Sequence, residues 1–294
     1  MKRCKICGSS NYEIVYEGPI RIGKFGSLSR KAYLAAKCLS CSVISLPKIV
    51  EDHKAFYEST DYRKEVEGSA EVQDYFSLHD GEQSKHFTVT GTSIYRNKIV
   101  ADIGCGAGAF LDYVQSVSKT AIAIEPAILY RTSLTQRGYV TYPYACDALV
   151  DFAGKVDVAV SFSVVEHVED PMVFLNDIRQ LLCQKGKLIL STPNTDDALL
   201  EMLPDVYAPF FYRKAHLWYF NAESLRNLLG AAGFKEINIV PFHRFGLGNF
   251  LTWIRDRVPK GDARFAFITE TVDSVWRREL ERTGRSDYLY AVAS

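Results

Sequence analysis

This chain lacks the sequence features that identify membrane, secreted and repeat proteins. Its 294 residues contain no run near the roughly 18 apolar residues that a membrane-spanning helix needs. The first ten residues, MKRCKICGSS, include no apolar stretch of the kind found in secretory signals. There is also no internal repeat and no low-complexity tract. We therefore expect a soluble, cytoplasmic protein without a membrane span.

An excess of charge of either sign is also missing, because 35 Lys and Arg balance 35 Asp and Glu. The charge is nevertheless uneven along the chain. Residues 1–48 carry a net charge of +7, so the remainder carries −7. A basic segment on an acidic body indicates an anionic partner near the N-terminus, or simply a solvated surface around a metal site. Both interpretations stay open at this point.

Cysteines are few, and a reducing compartment favours thiols or metal ligands over disulfides. Four of the seven form two C-x-x-C pairs, Cys4 with Cys7 and Cys38 with Cys41. Gly8 follows the first pair, as a tight metal-binding turn prefers. Four thiolates at this spacing are typical of a closed tetrahedral site for structural Zn²⁺. The spacing therefore predicts a zinc-binding module at the N-terminus.

Patterning divides the chain into three parts: a zinc-binding module (1–48), a helical connecting region (49–96) and a larger domain (97–294). In the larger domain, short apolar runs rich in β-branched residues alternate with amphipathic stretches. This alternation is typical of βαβ units. We predict an α/β fold, namely a Rossmann-like, mostly parallel seven-stranded sheet with helices on both faces. The long connections 194–220 and 241–286 are predicted functional insertions.

A glycine-rich turn follows the first predicted strand of this domain, in the sequence VADIGCGAGAF. Gly104, Gly106 and Gly108 allow a sharp turn and a close approach of the backbone to a ligand. The amides at the start of the next helix favour an anionic group. The glycine spacing alone also fits a dinucleotide site.

Three acidic residues at successive strand ends help to decide between a dinucleotide and S-adenosylmethionine. Asp102 lies where it would repel a pyrophosphate but accept a hydrogen bond from an ammonium group. Glu125 can bind ribose hydroxyls, and Asp147 can reach an adenine amino group. An amino acid, a ribose and an adenine describe S-adenosylmethionine better than NAD. The predicted cofactor-binding residues are Asp102, Gly104, Gly106, Gly108, Glu125, Asp147 and Ser163.

The segments DIGCGAGAF, IEP (124–126) and SFSVVEHVEDP (161–171) resemble the signature motifs of class I S-adenosylmethionine-dependent methyltransferases. The segment HLWYFNAESLRNLLGAAGF (216–234) is similar to the corresponding stretch in the small-molecule and sugar branch. The resemblance covers roughly residues 98–240. It implies a methyl transfer from S-adenosylmethionine and leaves the acceptor open.

The N-terminal segment resembles the zinc-binding leader of one branch, with C-x-x-C-G-S, a second C-x-x-C, Pro47 and the segment AFY (55–57). That branch includes enzymes that methylate nucleotide-linked sugars and surface polysaccharides such as O-antigen. The resemblance implies that the module helps to hold an anionic or sugar-containing acceptor. The chain is shorter than sugar C-methyltransferases of this type, which favours O-methylation.

A sugar hydroxyl must lose its proton, so a base within hydrogen-bond reach would help. The candidate catalytic residues are His216, in the aromatic insertion, and His167 with its neighbour Glu166, after the fourth predicted strand. We expect His216 to be the base, because insertions often carry acceptor contacts; either histidine can instead be a packing residue. Some quinone O-methyltransferases bind a metal through E-x-x-E-H, but Ser163 replaces the first acid here. We therefore expect no catalytic metal.

Two other functions compete with O-methylation of a sugar. The first is an RNA methyltransferase that grips nucleic acid with the zinc module. The acidic body argues against nucleic acid as a partner, since no basic stripe continues past residue 48. The second is a scaffold without a cofactor, against which the intact Asp102, Gly104, Gly106 and Glu125 argue.

Overall fold

In a computed structural model, residues 3–23, 27–261 and 265–294 of the chain are described. Its contacts form two compact units. Unit 1 comprises Met1–Ile49, Thr192–Asn227 and Ile239–Tyr290; unit 2 comprises Val50–Ser191, Leu228–Asn238 and Ala291–Ser294. The predicted boundaries at residues 48 and 96 stay predictions.

The first part of the chain holds three short strands and then four helices. The strands are β1 (Tyr12–Gly18), β2 (Tyr33–Cys38) and β3 (Ile44–Ser45). The helices are α1 (His53–Glu58), α2 (Asp61–Val66), α3 (Val72–His79) and α4 (Gln83–Thr90). The predicted helical character of residues 49–96 agrees with these helices.

Strands and helices alternate in the middle of the chain, as the patterning indicates. The elements are β4 (Ile99–Ile103), α5 (Ala109–Val114), β5 (Thr120–Ile124), α6 (Ile128–Gln136), β6 (Val140–Tyr142), α7 (Ala145–Phe152), β7 (Val156–Phe162), α8 (Pro171–Leu181) and β8 (Leu182–Pro193).

The last third contains the two predicted insertions and the two remaining strands of the domain. The elements are α9 (Ala198–Met202), α10 (Pro204–Phe211), β9 (Trp218–Tyr219), α11 (Ala222–Ala231), β10 (Ile237–Phe242), α12 (Leu247–Asp256), α13 (Glu270–Thr283) and β11 (Tyr288–Ala293). Insertion 194–220 therefore folds as α9, α10 and β9, and insertion 241–286 contributes α12 and α13.

The larger sheet has seven strands in the order β10-β11-β8-β7-β4-β5-β6. The pairs β4–β5, β4–β7, β5–β6 and β7–β8 are parallel. From β6 to β8 this is the order 3-2-1-4-5 of doubly wound folds, and the last strand of the chain then lies between β8 and β10. The predicted Rossmann-like fold is confirmed.

A smaller sheet joins the N-terminal strands to a distant strand in the order β1-β2-β3-β9. All three pairs are antiparallel, and in the last of them Ile44 lies opposite Tyr219 and Ser45 opposite Trp218. The sequence pattern predicts none of these four strands. Buried apolar residues from both segments form one cluster here, including Ile20, Ile44 and Tyr219.

None of the helices in the described part of the chain combines the length and the apolar character needed to cross a bilayer.

Candidate functional site

The glycine turn after β4 has a backbone that other residues would not tolerate. Gly104 and Gly106 have φ angles of +78° and +56°, in the left-handed region. A Cβ on Gly104 would lie 2.4 Å from Val164 Cγ2, and one on Gly106 would lie 2.4 Å from Tyr75 Oη. The chain therefore approaches both neighbours too closely for any side chain.

Asp102 lies near the end of β4, opposite Ala123 of β5 and Val160 of β7. Its side chain is buried, and burial together with the charge of Glu125 raises its pKa to about 8. A cationic ligand at this point would favour the carboxylate form and offset both effects. The contact of Asp102 with the ammonium group of an amino acid stays a prediction.

Glu125 follows β5 and holds the glycine turn in place through hydrogen bonds. Its two carboxylate oxygens accept hydrogen bonds from the backbone amides of Gly106 (2.8 Å) and Ala127 (2.9 Å). Burial raises the pKa of Glu125, while Arg63 and the two amides oppose the rise. Each carboxylate oxygen keeps a further lone pair, so both can still accept from ribose hydroxyls.

The remaining predicted cofactor residues have separate places in unit 2. Gly108 is the residue before α5, and its φ is +95°. Ser163 follows β7 with a φ of +57°, and its amide donates to the carbonyl of Ser191 at 3.0 Å. Asp147 is exposed and caps α7, because its carboxylate accepts from the amide of Tyr144 at 3.1 Å. Contact of these residues with a cofactor stays a prediction.

Helices α2 and α3 bring residues to the glycine turn that sequence reasoning missed. Tyr75 Oη donates to the carbonyl of Cys105 at 3.3 Å. The Arg63 guanidinium lies 5.1 Å from the centres of the Tyr62 and Tyr75 rings and forms an ion pair with Glu67. No motif marks these residues, because they precede the segment with the recognisable signatures.

The loop after β7 carries His167 and Glu166, both buried. The His167 amide donates to the carbonyl of Val164 at 2.9 Å, which closes a tight turn. Val164 packs against Gly104, so this turn is fixed against the cofactor-binding turn. His167 Nδ1 lies 2.9 Å from Tyr57 Oη, a contact that the sequence did not indicate.

His216 belongs to unit 1 and is also buried. Its amide donates to the carbonyl of Arg213 at 3.1 Å, and its ring lies 5.7 Å from that of Tyr219. The aromatic residues around it in sequence, Tyr212, Trp218 and Tyr219, are buried too. Tyr212 and Tyr219 belong to the apolar core of this unit. The predicted role of His216 as a base stays a prediction.

The four cysteines of the N-terminal pairs meet at one point. Their sulfur atoms all lie within 4.8 Å of one another, with 3.7 Å between Cys4 and Cys41 and 3.5 Å between Cys7 and Cys38. A tetrahedral zinc site with bonds of about 2.3 Å requires sulfur atoms about 3.8 Å apart. The cluster could therefore hold a metal ion.

Each cysteine pair lies on the same kind of turn. The amide of Gly8 donates to the carbonyl of Cys4 at 2.8 Å, and the amide of Ser42 donates to that of Cys38 at 2.9 Å. Gly8 and Ser42 both have left-handed φ angles. Burial raises the pKa of Cys38, but the amides of Cys41 and Ser40 outweigh it and lower the pKa to about 7. The second turn thus favours the thiolate form of Cys38, whereas burial raises the pKa of Cys7 and of Cys41.

Together the sheet and the site define a class of protein. A doubly wound sheet bears a glycine turn after its first strand, a buried acid before that turn and a second acid after the next strand. These features are those of class I S-adenosylmethionine-dependent methyltransferases. The family model described as "Methyltransferase domain" matches residues 85–238, and the chain belongs to this family.

Known proteins agree with this assignment. The chain is 30% identical over 141 residues to a Mycobacterium tuberculosis protein named "Probable S-adenosylmethionine-dependent methyltransferase", covering 47% of this chain and 49% of that protein. It is 27% identical over 147 residues to a "Ubiquinone biosynthesis O-methyltransferase" of Azorhizobium caulinodans, covering 46% and 58%. The chain thus spans about half the length of the curated relatives it matches.

A solved structure supports the fold. The crystal structure of a SAM-dependent methyltransferase from Archaeoglobus fulgidus superposes with a TM-score of 0.51 at 16% identity. The superposition covers 79% of this chain and 97% of that one.

Replacing Glu125 by alanine is expected to weaken binding of S-adenosylhomocysteine by about 1–3 kcal/mol, or about 5- to 150-fold in Kd. The variant loses the acceptors of the Gly106 and Ala127 amides, together with the carboxylate that is predicted to bind the ribose. Calorimetric titration measures the change, with the exposed Glu51→Ala as the matched control. Wild-type affinity in a folded Glu125→Ala protein would contradict this assignment.

Proposed function

We propose that the protein transfers a methyl group from S-adenosylmethionine to a hydroxyl of a sugar-containing acceptor, with His167 as the general base. The observation that carries this proposal is the fixed turn of Val164 to His167 against Gly104. It brings an imidazole to the edge of the sheet where ligands of doubly wound folds bind. Both turns belong to unit 2.

In this proposal, Asp102 accepts from the ammonium group of the cofactor and Glu125 from its ribose. The cofactor supplies a methyl group on a sulfonium, which is already a good leaving group. Positioning therefore accounts for much of the rate. The imidazole of His167 takes the proton of the acceptor hydroxyl and contributes general base catalysis.

The acceptor is proposed to be a sugar that carries an anionic group, such as a nucleotide-linked sugar. Two observations support this choice. The N-terminal segment is basic, and Arg3, Lys5, Arg30 and Lys31 are exposed on it. The same segment resembles the zinc-binding leader of the sugar-modifying branch. We also propose that Cys4, Cys7, Cys38 and Cys41 bind one structural Zn²⁺, since their spacing fits a tetrahedral site.

A screen for a gain of one methyl group tests the acceptor. Purified protein and S-adenosylmethionine are incubated with nucleotide-linked sugars, cell-envelope glycans, catechol-type phenols and RNA, and the products are analysed by mass spectrometry. We expect an O-methylated sugar, and a KM for it that rises with salt because the acceptor is anionic. Methylation of RNA or at a sugar carbon would overturn the proposed acceptor chemistry.

A phenolic hydroxyl is the second candidate acceptor. One observation favours it, namely the 27% identity over 147 residues to a relative named as a ubiquinone biosynthesis O-methyltransferase. A phenol carries no phosphate, so its KM should respond little to salt. Methylation of the phenols alone in the screen would select this candidate over the sugar.

A further inference from the structure

Helix α1 holds His167 at two points, one on its imidazole and one on its backbone. The Oη atom of Tyr57 lies 2.9 Å from Nδ1 of His167. One turn earlier on the same helix, Nε2 of His53 donates to the backbone carbonyl of His167 at 2.7 Å. The ring and the backbone of His167 are therefore both fixed by residues of α1.

The helix itself is capped at its start and anchored to the loop after β6 at its end. At its start the Asp52 carboxylate accepts from the amide of Ala55 at 2.9 Å. At its end the Glu58 carboxylate accepts from Oη of Tyr144 at 3.0 Å, and Tyr144 directly precedes α7. Helix α1 thus contacts the loops that follow both β6 and β7. It is in a position to set the orientation of a side chain at this edge of the sheet.

The contact between Tyr57 and His167 decides which nitrogen of a neutral imidazole can accept a proton. If Nδ1–H donates to Tyr57 Oη, Nε2 keeps its lone pair and can act as a base. If the tyrosine donates instead, the proton resides on Nε2 and the ring cannot accept there. Only the first arrangement suits a base that acts through Nε2.

We propose that Tyr57 is a positioning residue that holds His167 with its proton on Nδ1 and its lone pair on Nε2, an inference that rests on the proposed function. The phenol accepts the Nδ1–H bond and stabilises the imidazolium that forms when Nε2 takes a proton from the acceptor. No proton leaves Tyr57 in this step. Burial, with the nearby Tyr62 and Glu166, raises the pKa of Tyr57 well above its ordinary value, so the phenol stays neutral.

Other titratable groups of unit 2 surround this contact. His53 and Tyr57 come from α1, and Tyr62 from α2 packs edge-on against His167 at 5.5 Å. Glu166 precedes His167, and Glu169 lies 3.8 Å from His53 Nδ1. Among these groups, Tyr57 Oη lies within hydrogen-bond distance of His167 Nδ1. A change of tautomer is therefore expected from Tyr57→Phe, which removes the Oη atom at Nδ1, and not from Tyr62→Phe, which keeps the edge-on ring contact with His167.

Nitrogen NMR of protein labelled at the histidine rings tests the proposal without an acceptor. We expect the Nδ1–H tautomer for His167 in the wild type and its loss in Tyr57→Phe. The variant should also lower the pKa of His167 by about half to one unit, because the imidazolium loses a charge-assisted bond. In turnover, Tyr57→Phe should lower kcat about 10- to 100-fold with little change in the KM for S-adenosylmethionine. Tyr113→Phe, at an exposed tyrosine, is the control for turnover.

The outcomes separate the positioning role from the base itself. An Nε2–H tautomer in the wild type would overturn the role of Tyr57, and so would an unchanged tautomer and pKa of His167 in Tyr57→Phe. Neither result would contradict His167 as the base, if His167→Ala still loses activity. Wild-type turnover in His167→Ala would overturn the proposed base and the role of Tyr57 with it.

Discussion

Replacing His167 by alanine is expected to lower kcat by roughly 10²–10⁴-fold, the usual contribution of general base catalysis. The affinity for S-adenosylhomocysteine should change little, because Asp102 and Glu125 hold the cofactor in the proposal. The residual activity should also lose the pH dependence that a histidine base imposes, since a neutral ring is required only when it acts as the base. Steady-state rates between pH 5.5 and pH 9 measure both effects.

The matched variant is His216→Ala, because sequence reasoning favours that residue. If His216 only packs against Tyr219, its replacement should affect thermal stability more than the pH dependence of kcat. A loss of roughly 10²–10⁴-fold with His216→Ala, and near wild-type turnover with His167→Ala, would return the base to the insertion. In that case the turn after β7 would only pack against Gly104 and would take no part in the chemistry.

A double replacement, Cys38→Ser with Cys41→Ser, is expected to abolish zinc binding and to unfold the antiparallel sheet of unit 1. Structural zinc in small modules contributes about 10–16 kcal/mol of apparent binding free energy, and this energy is coupled to folding. Two of the four sulfur ligands are then absent, while the buried Cys4 keeps a thiol without a metal to bind. Elemental analysis should find one zinc per wild-type chain and none in the variant.

Thermal unfolding with and without a strong chelator gives the second measurement. Wild-type protein should lose the stability of unit 1 in chelator, and the double variant should not respond. Cys183→Ser is the matched control, since Cys183 lies in β8 of unit 2 and belongs to neither C-x-x-C pair. Well-folded wild-type protein with little zinc, or full zinc in the double variant, would contradict the site.

The sequence predicts unit 2 better than unit 1, and the reason is physical. Strands such as β4 and β5 are short apolar runs bounded by a glycine turn or an acid, so local patterning identifies them. The nearness of Asp102 and Glu125 can also be predicted from the sequence, because the carboxyl ends of parallel strands meet at one edge of the sheet. Glu125 also bonds the amide of Gly106, a contact that links two motifs of the same signature.

The residues that the sequence did not reveal act over long separations. Tyr57, Arg63 and Tyr75 precede the signature motifs and lie in short helices of mixed composition. Their importance depends on the contacts of Tyr57 with His167 and of Tyr75 with Cys105, and on the charge of Arg63 acting on Glu125, none of which a periodicity encodes. The pairing of Ile44 with Tyr219 is equally invisible, because β3 and β9 are two residues long and have no recognisable alternation.

The pairing of β3 with β9 also sets an order of events during synthesis. Ile44 and Ser45 leave the ribosome long before their partners Tyr219 and Trp218. At about 5–20 residues per second, the interval is roughly ten to thirty seconds. For that time the outer edge of β3 and its apolar neighbours are open to other chains. The nascent chain is therefore expected to depend on holding chaperones more strongly before residue 219 than after it.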